Sequence, residues 1–111
     1  MSEKTFVHIL PEEKYLQYLI KVSEEKKIIY NLLFEDSTVD KRGYAMANLC
    51  ECYYALYQME KILEDVEDSF NPNKQEFYVA DEMALKFVLL LGSVVAAKES
   101  LPLYNVSFSL H

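Results

Sequence analysis

The side chains able to do chemistry are few and poorly placed for it. The two histidines, His8 and His111, stand at opposite ends of a 111-residue chain. Serine and cysteine nucleophiles need a nearby base, usually an imidazole oriented by a third group. Bundle metal sites of the di-iron and di-manganese kind need Glu-x-x-His motifs on inward faces, and the sequence has none. Cys50 and Cys52 fall two residues apart in a helical pattern, so their side chains diverge by about 200° and cannot bridge. They are expected to be free thiols serving as small hydrophobes. Glu60 and Glu64 are one helical turn apart, yet acid/base work needs a cleft that drives two carboxyl pKa values apart, and nothing around them predicts one. Gly43 and Gly92 stand alone, which excludes a phosphate-cradling loop. No catalytic residue, cofactor or metal is expected, and the chain reads as non-enzymatic.

The charge is more informative than the chemistry. The formal net charge is −7. Eight acids, Glu60, Glu64, Asp65, Glu67, Asp68, Glu76, Asp81 and Glu82, face only Lys61 and Lys74 in the same stretch, and the remainder of the chain is nearly neutral. Four of the eight, Glu64, Asp65, Glu67 and Asp68, crowd the end of a predicted helix, where the dipole prefers cations by about 0.3–1 kcal/mol each. An acidic pole built against local stability suggests a partner with a basic surface. Calcium suits it poorly, since a calcium loop needs an irregular backbone and a glycine turn. The only basic pairs, Lys26-Lys27 and Lys41-Arg42, adjoin acids, so direct nucleic-acid binding is not expected.

Nine tyrosines form the second candidate surface. Tyrosine buries a ring while its hydroxyl stays wet, which suits interfaces. Tyr53, Tyr54 and Tyr57 widen the apolar side of one predicted helix beyond what a single neighbour needs. With the alternating tail residues Val106, Phe108 and Leu110 they are candidate self-association residues, and a homodimer or higher oligomer is expected.

Positioning these groups requires a mainly α fold. Half the residues are hydrophobic, 51%, with only two Gly and three Pro, which favours long elements in one domain over residues 1–111. Thr5 to Leu10 reads as a short strand. Pro11 opens a helix to about Phe34 whose stripe is Tyr15, Leu19, Val22, Ile29 and Leu33, broken once by Lys26. A second helix starts near Ser37 or after Gly43. Ala45, Leu49, Cys52, Leu56, Met59, Leu63, Val66 and Phe70 keep strict four-three spacing along it, the mark of close helix packing. Asn71-Pro72-Asn73 stops it. Asn73 and Glu76 then resemble a cap for a third helix to Ser100, although the strand-like Phe77-Tyr78-Val79 allows a start as late as Ala80 or Asp81. From Met83 to Ala97 this helix is apolar on every side, which predicts burial on every side. It is too short for a membrane span. The expected architecture is an antiparallel three-helix bundle with the third helix innermost and short strands at the N- and C-termini, the Thr5 to Leu10 strand being the cheapest partner for the tail.

The function this predicts is that of a small acidic cytoplasmic protein that binds another protein: an adaptor, an assembly factor, or an inhibitor of the compact kind that viruses and mobile elements encode. Two alternatives stand beside it. One is a small-molecule-binding or catalytic bundle with a pocket lined by tyrosines and Met46, Met59 or Met83, and the other is a structural subunit of a larger assembly.

Overall fold

Pro11 ends a strand and starts a helix. In the computed structural model, which describes residues 7–36 and 44–100, β1 (Val7–Pro11) runs directly into α1 (Glu12–Tyr30). Proline at this junction costs no helical hydrogen bond. Glu12 and Glu13 occupy the first turn of α1, where the dipole favours acids. No side chain caps this end, but the Glu12 N–H donates to the Gln75 carbonyl at 3.0 Å, so the loop before β2 does part of the capping.

The stripe read from the sequence is the buried side of α1. Tyr15, Val22, Ile29 and Leu33 are buried and Leu19 packs against them. After Tyr30 the helix widens into a π turn, Asn31–Glu35, closed by the Asp36 N–H donating to the Asn31 carbonyl at 2.8 Å. The wider turn lets the adjacent residues Leu32 and Leu33 both reach the core.

Helix α2 (Tyr44–Glu67) is the true centre. Leu49, Cys52, Leu56, Met59, Leu63 and Val66 are all at most 3% exposed, as the four-three seam requires, and Phe70 is half-buried just beyond the helix. Ala55 and Ile62 extend the buried arc to one side of this seam. That breadth lets α2 carry α1 on one flank and α3 (Asp81–Ser100) on the other.

The backbones of α1 and α3 do not approach within 8 Å of each other. They meet only through side chains, Tyr18 edge-on to Phe87 with ring centres 5.5 Å apart, and Lys98 on Glu25 at 2.5 Å. The fold is thus mainly helical, with two helices on a third and a two-stranded antiparallel sheet. The third helix is not innermost: Leu85, Val88 and Leu89 are 60–64% exposed, and Leu91 and Val95 are exposed beside them. Hydropathy on every side implied burial on every side, but α2 has already claimed the centre, and α3 covers it with Val94 and Ala97 alone fully inside.

A second correction concerns residues 73–80. Asn73 and Glu76 do not cap a helix, because Glu76–Ala80 is a strand, β2, and α3 starts only at Asp81. Gln75 takes a left-handed φ of 52°, which no continuing helix tolerates. Asn71 holds the turn instead: its Oδ1 accepts the Asn73 N–H at 3.0 Å, and Asn71 forms a bridge with Glu76. Strand β2 pairs antiparallel with β1, from Val7 opposite Ala80 to Pro11 opposite Glu76. Phe77 and Val79 alternate inward, Phe77 stacking on Tyr15 at 4.0 Å and tilting against Phe70 at 4.7 Å. The partner of the N-terminal strand is therefore this internal segment. The tail expected to pair with it, including Val106, Phe108 and Leu110, lies outside the described residues, as does Ser37, one of the two expected starts of the second helix.

Candidate functional site

The groups that could do chemistry are engaged in holding elements together. His8 Nε2 lies 2.7 Å from Asp81 Oδ1, tying β1 to the first turn of α3. Lys26, the one polar break in the α1 stripe, donates to Glu60 at 2.8 Å and sits over the rings of Tyr57 and Tyr53 at 5.2 and 5.8 Å. Its hydrogen bond to Glu60 is the main reason its pKa is raised. Lys98 and Glu25 form a pair only 11% and 17% exposed, a polar link between α1 and α3. Sequence reasoning missed it, because Glu25 lies off the apolar stripe and Lys98 looks like an ordinary last-turn cation.

Cys50 is exposed and Cys52 is buried, both as free thiols. Burial pushes the Cys52 thiol up to about 11, an effect that Lys98 opposes and Glu25 reinforces. Among the described residues no group of three or more His, Cys, Asp or Glu side chains could hold a metal ion. No helix of the described residues is long and apolar enough to cross a membrane.

The acidic residues are dispersed across several environments. Glu60 is paired with Lys26, Glu64 lies 3.7 Å from Lys61, and Asp81 is bonded to His8. Asp65 and Glu82 border a shallow pocket that also holds Lys61 and Lys86. Glu67 and Asp68 are exposed where α2 ends, and Glu76 is half-buried at the start of β2. Glu67 and Glu64 lie close enough to Tyr15 to help burial raise its pKa.

The tyrosines divide in the same way. Tyr15 is a core residue whose hydroxyl donates to the Leu63 carbonyl at 2.9 Å. Tyr53 is half-buried against Tyr30 and Phe34, and Tyr57 is exposed between Lys26 and Lys61. Tyr54 is the outlier of the group, 62% exposed with no ring partner among the described residues. Of the methionines, Met59 is in the core, Met46 is exposed, and Met83 borders the pocket with Lys61 and Lys86.

One unexplained surface is apolar and was not among the residues singled out from the sequence. It begins with Leu85, Val88, Leu89, Leu91 and Val95 on the outer side of α3. At Val88 it opens into a cleft of about 210 Å³ between the sheet and the helices, lined by Leu10, Tyr18, Ile62, Leu63, Val66, Val79, Ala84 and Phe87, with His8 and Ile9 also contributing. Ile9, itself exposed, carries the apolar surface onto β1. The signal that could have found it is the stretch from Met83 to Ala97: only one side of such a helix can face a single neighbour, and α1 is held by α2 instead.

Comparison with protein-family models, with curated proteins and with solved structures finds no match to this chain in any of the three.

Proposed function

We propose that this protein is a non-enzymatic binding module whose working surface is the outer side of α3 with the adjoining cleft. One observation carries the reading: a whole helix side of large apolar side chains faces outward while a longer helix, α2, fills the core. Monomers seldom expose a contiguous apolar patch beyond roughly 300–600 Å² unless it is used. The cleft is suited to receive one aliphatic or aromatic anchor, the usual centre of a protein interface.

The acidic residues keep a secondary role in this reading, as a source of long-range steering toward a basic surface. That the protein acts by binding rather than by reaction is supported by the structural engagement of His8, Glu25, Glu60 and Cys52. Its role as adaptor, assembly factor or inhibitor follows from the partner.

The test compares three baits in capture from native extract: wild type, a charged-face variant with Leu85→Glu and Leu89→Glu, and a variant with Glu64, Asp65, Glu67 and Asp68 changed to lysine. Partners identified by mass spectrometry should vanish with the α3 variant. With the acid variant they should persist, at altered salt sensitivity. Equal recovery by wild type and the α3 variant would refute the assignment.

A further inference from the structure

We propose that the cleft takes an extended segment of a partner protein, which adds as a third strand along the outer edge of β1, seats one apolar side chain in the cleft and carries basic residues on either side of it. The proposal rests on the reading above, that the cleft belongs to the working surface, and names what fits it.

The edge follows from the hydrogen bonds of β2. Opposite residues of an antiparallel pair either exchange both backbone bonds or turn both groups away from each other. Glu76 donates its N–H to the Asn71 carbonyl at 3.4 Å and accepts the Asn71 N–H at 2.8 Å, and the Tyr78 N–H donates to Ser69 Oγ at 2.9 Å. Both residues therefore turn away from β1, and their partners Pro11 and Ile9 turn away from β2. Pro11, which has no N–H, suits such a place. The bond from the Glu12 N–H to the Gln75 carbonyl, one position on, keeps the same alternation. Ile9 is left with an N–H and a carbonyl directed to the outer edge of β1, where among the described residues no strand pairs and no group bonds to it.

The cleft lies on the same side of the sheet. His8, Ile9 and Leu10 of β1 line it, whereas β2 contributes only Val79. A strand placed beside β1 at about 4.8 Å continues the sheet over the opening. Successive side chains point to opposite faces, so those level with His8 and Leu10 turn inward with them. Main-chain bonds then supply affinity and the cleft selects an apolar side chain. A small apolar ligand or a docked helix would leave both Ile9 groups unmet, while an extended backbone meets both.

Charge specifies the flanks. The first turns of α1 and α3 stand at the two ends of β1 and hold Glu12, Glu13, Asp81 and Glu82 against Lys14. Strand β1 itself has no acid. A segment with Lys or Arg before and after an apolar centre complements this layout.

The probe is a synthetic peptide, Lys-Arg-Val-Ser-Phe-Ser-Val-Arg-Lys, titrated into the full chain up to about 1 mM. It should bind, and hydrogen exchange at the Ile9 amide should slow at least about tenfold on binding. Replacing its basic residues by serine, or raising salt, should weaken binding. N-methylation of its central residues keeps every side chain and removes the N–H groups, and should abolish binding. Ile9→Pro removes a donor that β2 does not use; it should leave the fold intact by circular dichroism and weaken binding at least about tenfold. Ile9→Ala keeps the donor and should weaken it less. No binding, or binding indifferent to both N-methylation and Ile9→Pro, would overturn the proposal. So would an Ile9 amide already protected in the free protein: protection independent of protein concentration would give the edge to another segment of the same chain, and protection rising with concentration would give it to a second copy. If Ile9→Pro still captures the partners that the α3 variant loses, strand addition falls and the binding surface stands. If both variants capture as the wild type does, both fall.

Discussion

Cys52, Lys98 and Glu25 form a small group at the junction of all three helices, where burial favours the neutral Cys52 thiol and Lys98 is paired with Glu25. Cys52 stays protonated well past the ordinary thiol range. Between pH 9.0 and about 11 the unfolded chain releases this proton and the folded chain does not, so stability falls as pH rises through that window, by on the order of 2–3 kcal/mol. Tyr15 and Lys26, both raised, act in the same direction above their ordinary values of 10.0 and 10.5. Chemical denaturation from pH 7 to 11 should show this decline, and Cys52→Ala should flatten its first part. A thiol reagent should label Cys50 in the native protein and reach Cys52 only on unfolding. The ion pair gives a further test. Glu25→Ala or Lys98→Ala alone leaves a mostly buried charge unpaired and should cost about 2–3 kcal/mol, whereas Glu25→Leu with Lys98→Met together should cost less than either. Urea midpoints for the three proteins decide it.

At the scale of elements, regular patterns were legible in the sequence and competition between elements was not. The α2 seam from Leu49 to Val66 and the α1 stripe from Tyr15 to Leu33 could be read from spacing alone, since each depends on one helix facing one core. The position of α3 could not, because its hydropathy says how much surface could be buried without saying which helix reaches the centre first. Broad burial along α2, extended by Ala55 and Ile62, settled that contest. Residues 73–80 were ambiguous for a different reason. Asn73 and Glu76 satisfy a helix-start rule, while Phe77, Tyr78 and Val79 prefer extended backbone, and only the distant Val7–Pro11 segment favours the strand. The candidate site was the least legible part, since an outward-facing Leu89 is indistinguishable from a core leucine until the neighbours are known. One local rule is broken at Gln75, whose left-handed φ carries a side chain where glycine would be relaxed. Gln75→Gly should raise stability by about 0.5–1 kcal/mol in a denaturant titration, because the backbone bond from Glu12 to the residue-75 carbonyl is retained.

For the whole molecule, the shape follows from α2 bearing two helices that meet each other at Tyr18–Phe87 and Glu25–Lys98. The extents are 53 × 32 × 19 Å, the shortest being about two helix diameters. The described residues leave the outer side of α3 uncovered. Its charge is carried away from the apolar surface, on the exposed end of α2 and the turn that follows, which leaves the outer side of α3 free of acids between Glu82 and Glu99. The central claim is that this side of α3 serves association and contributes nothing to folding of the protomer. The direct measurement is the unfolding free energy of Leu89→Glu, taken together with its capture of partners from native extract. The expected result is a stability within about 0.5 kcal/mol of wild type together with loss of the captured partners. A loss of several kcal/mol, as for a charge placed in a core, would contradict it and return α3 to the interior.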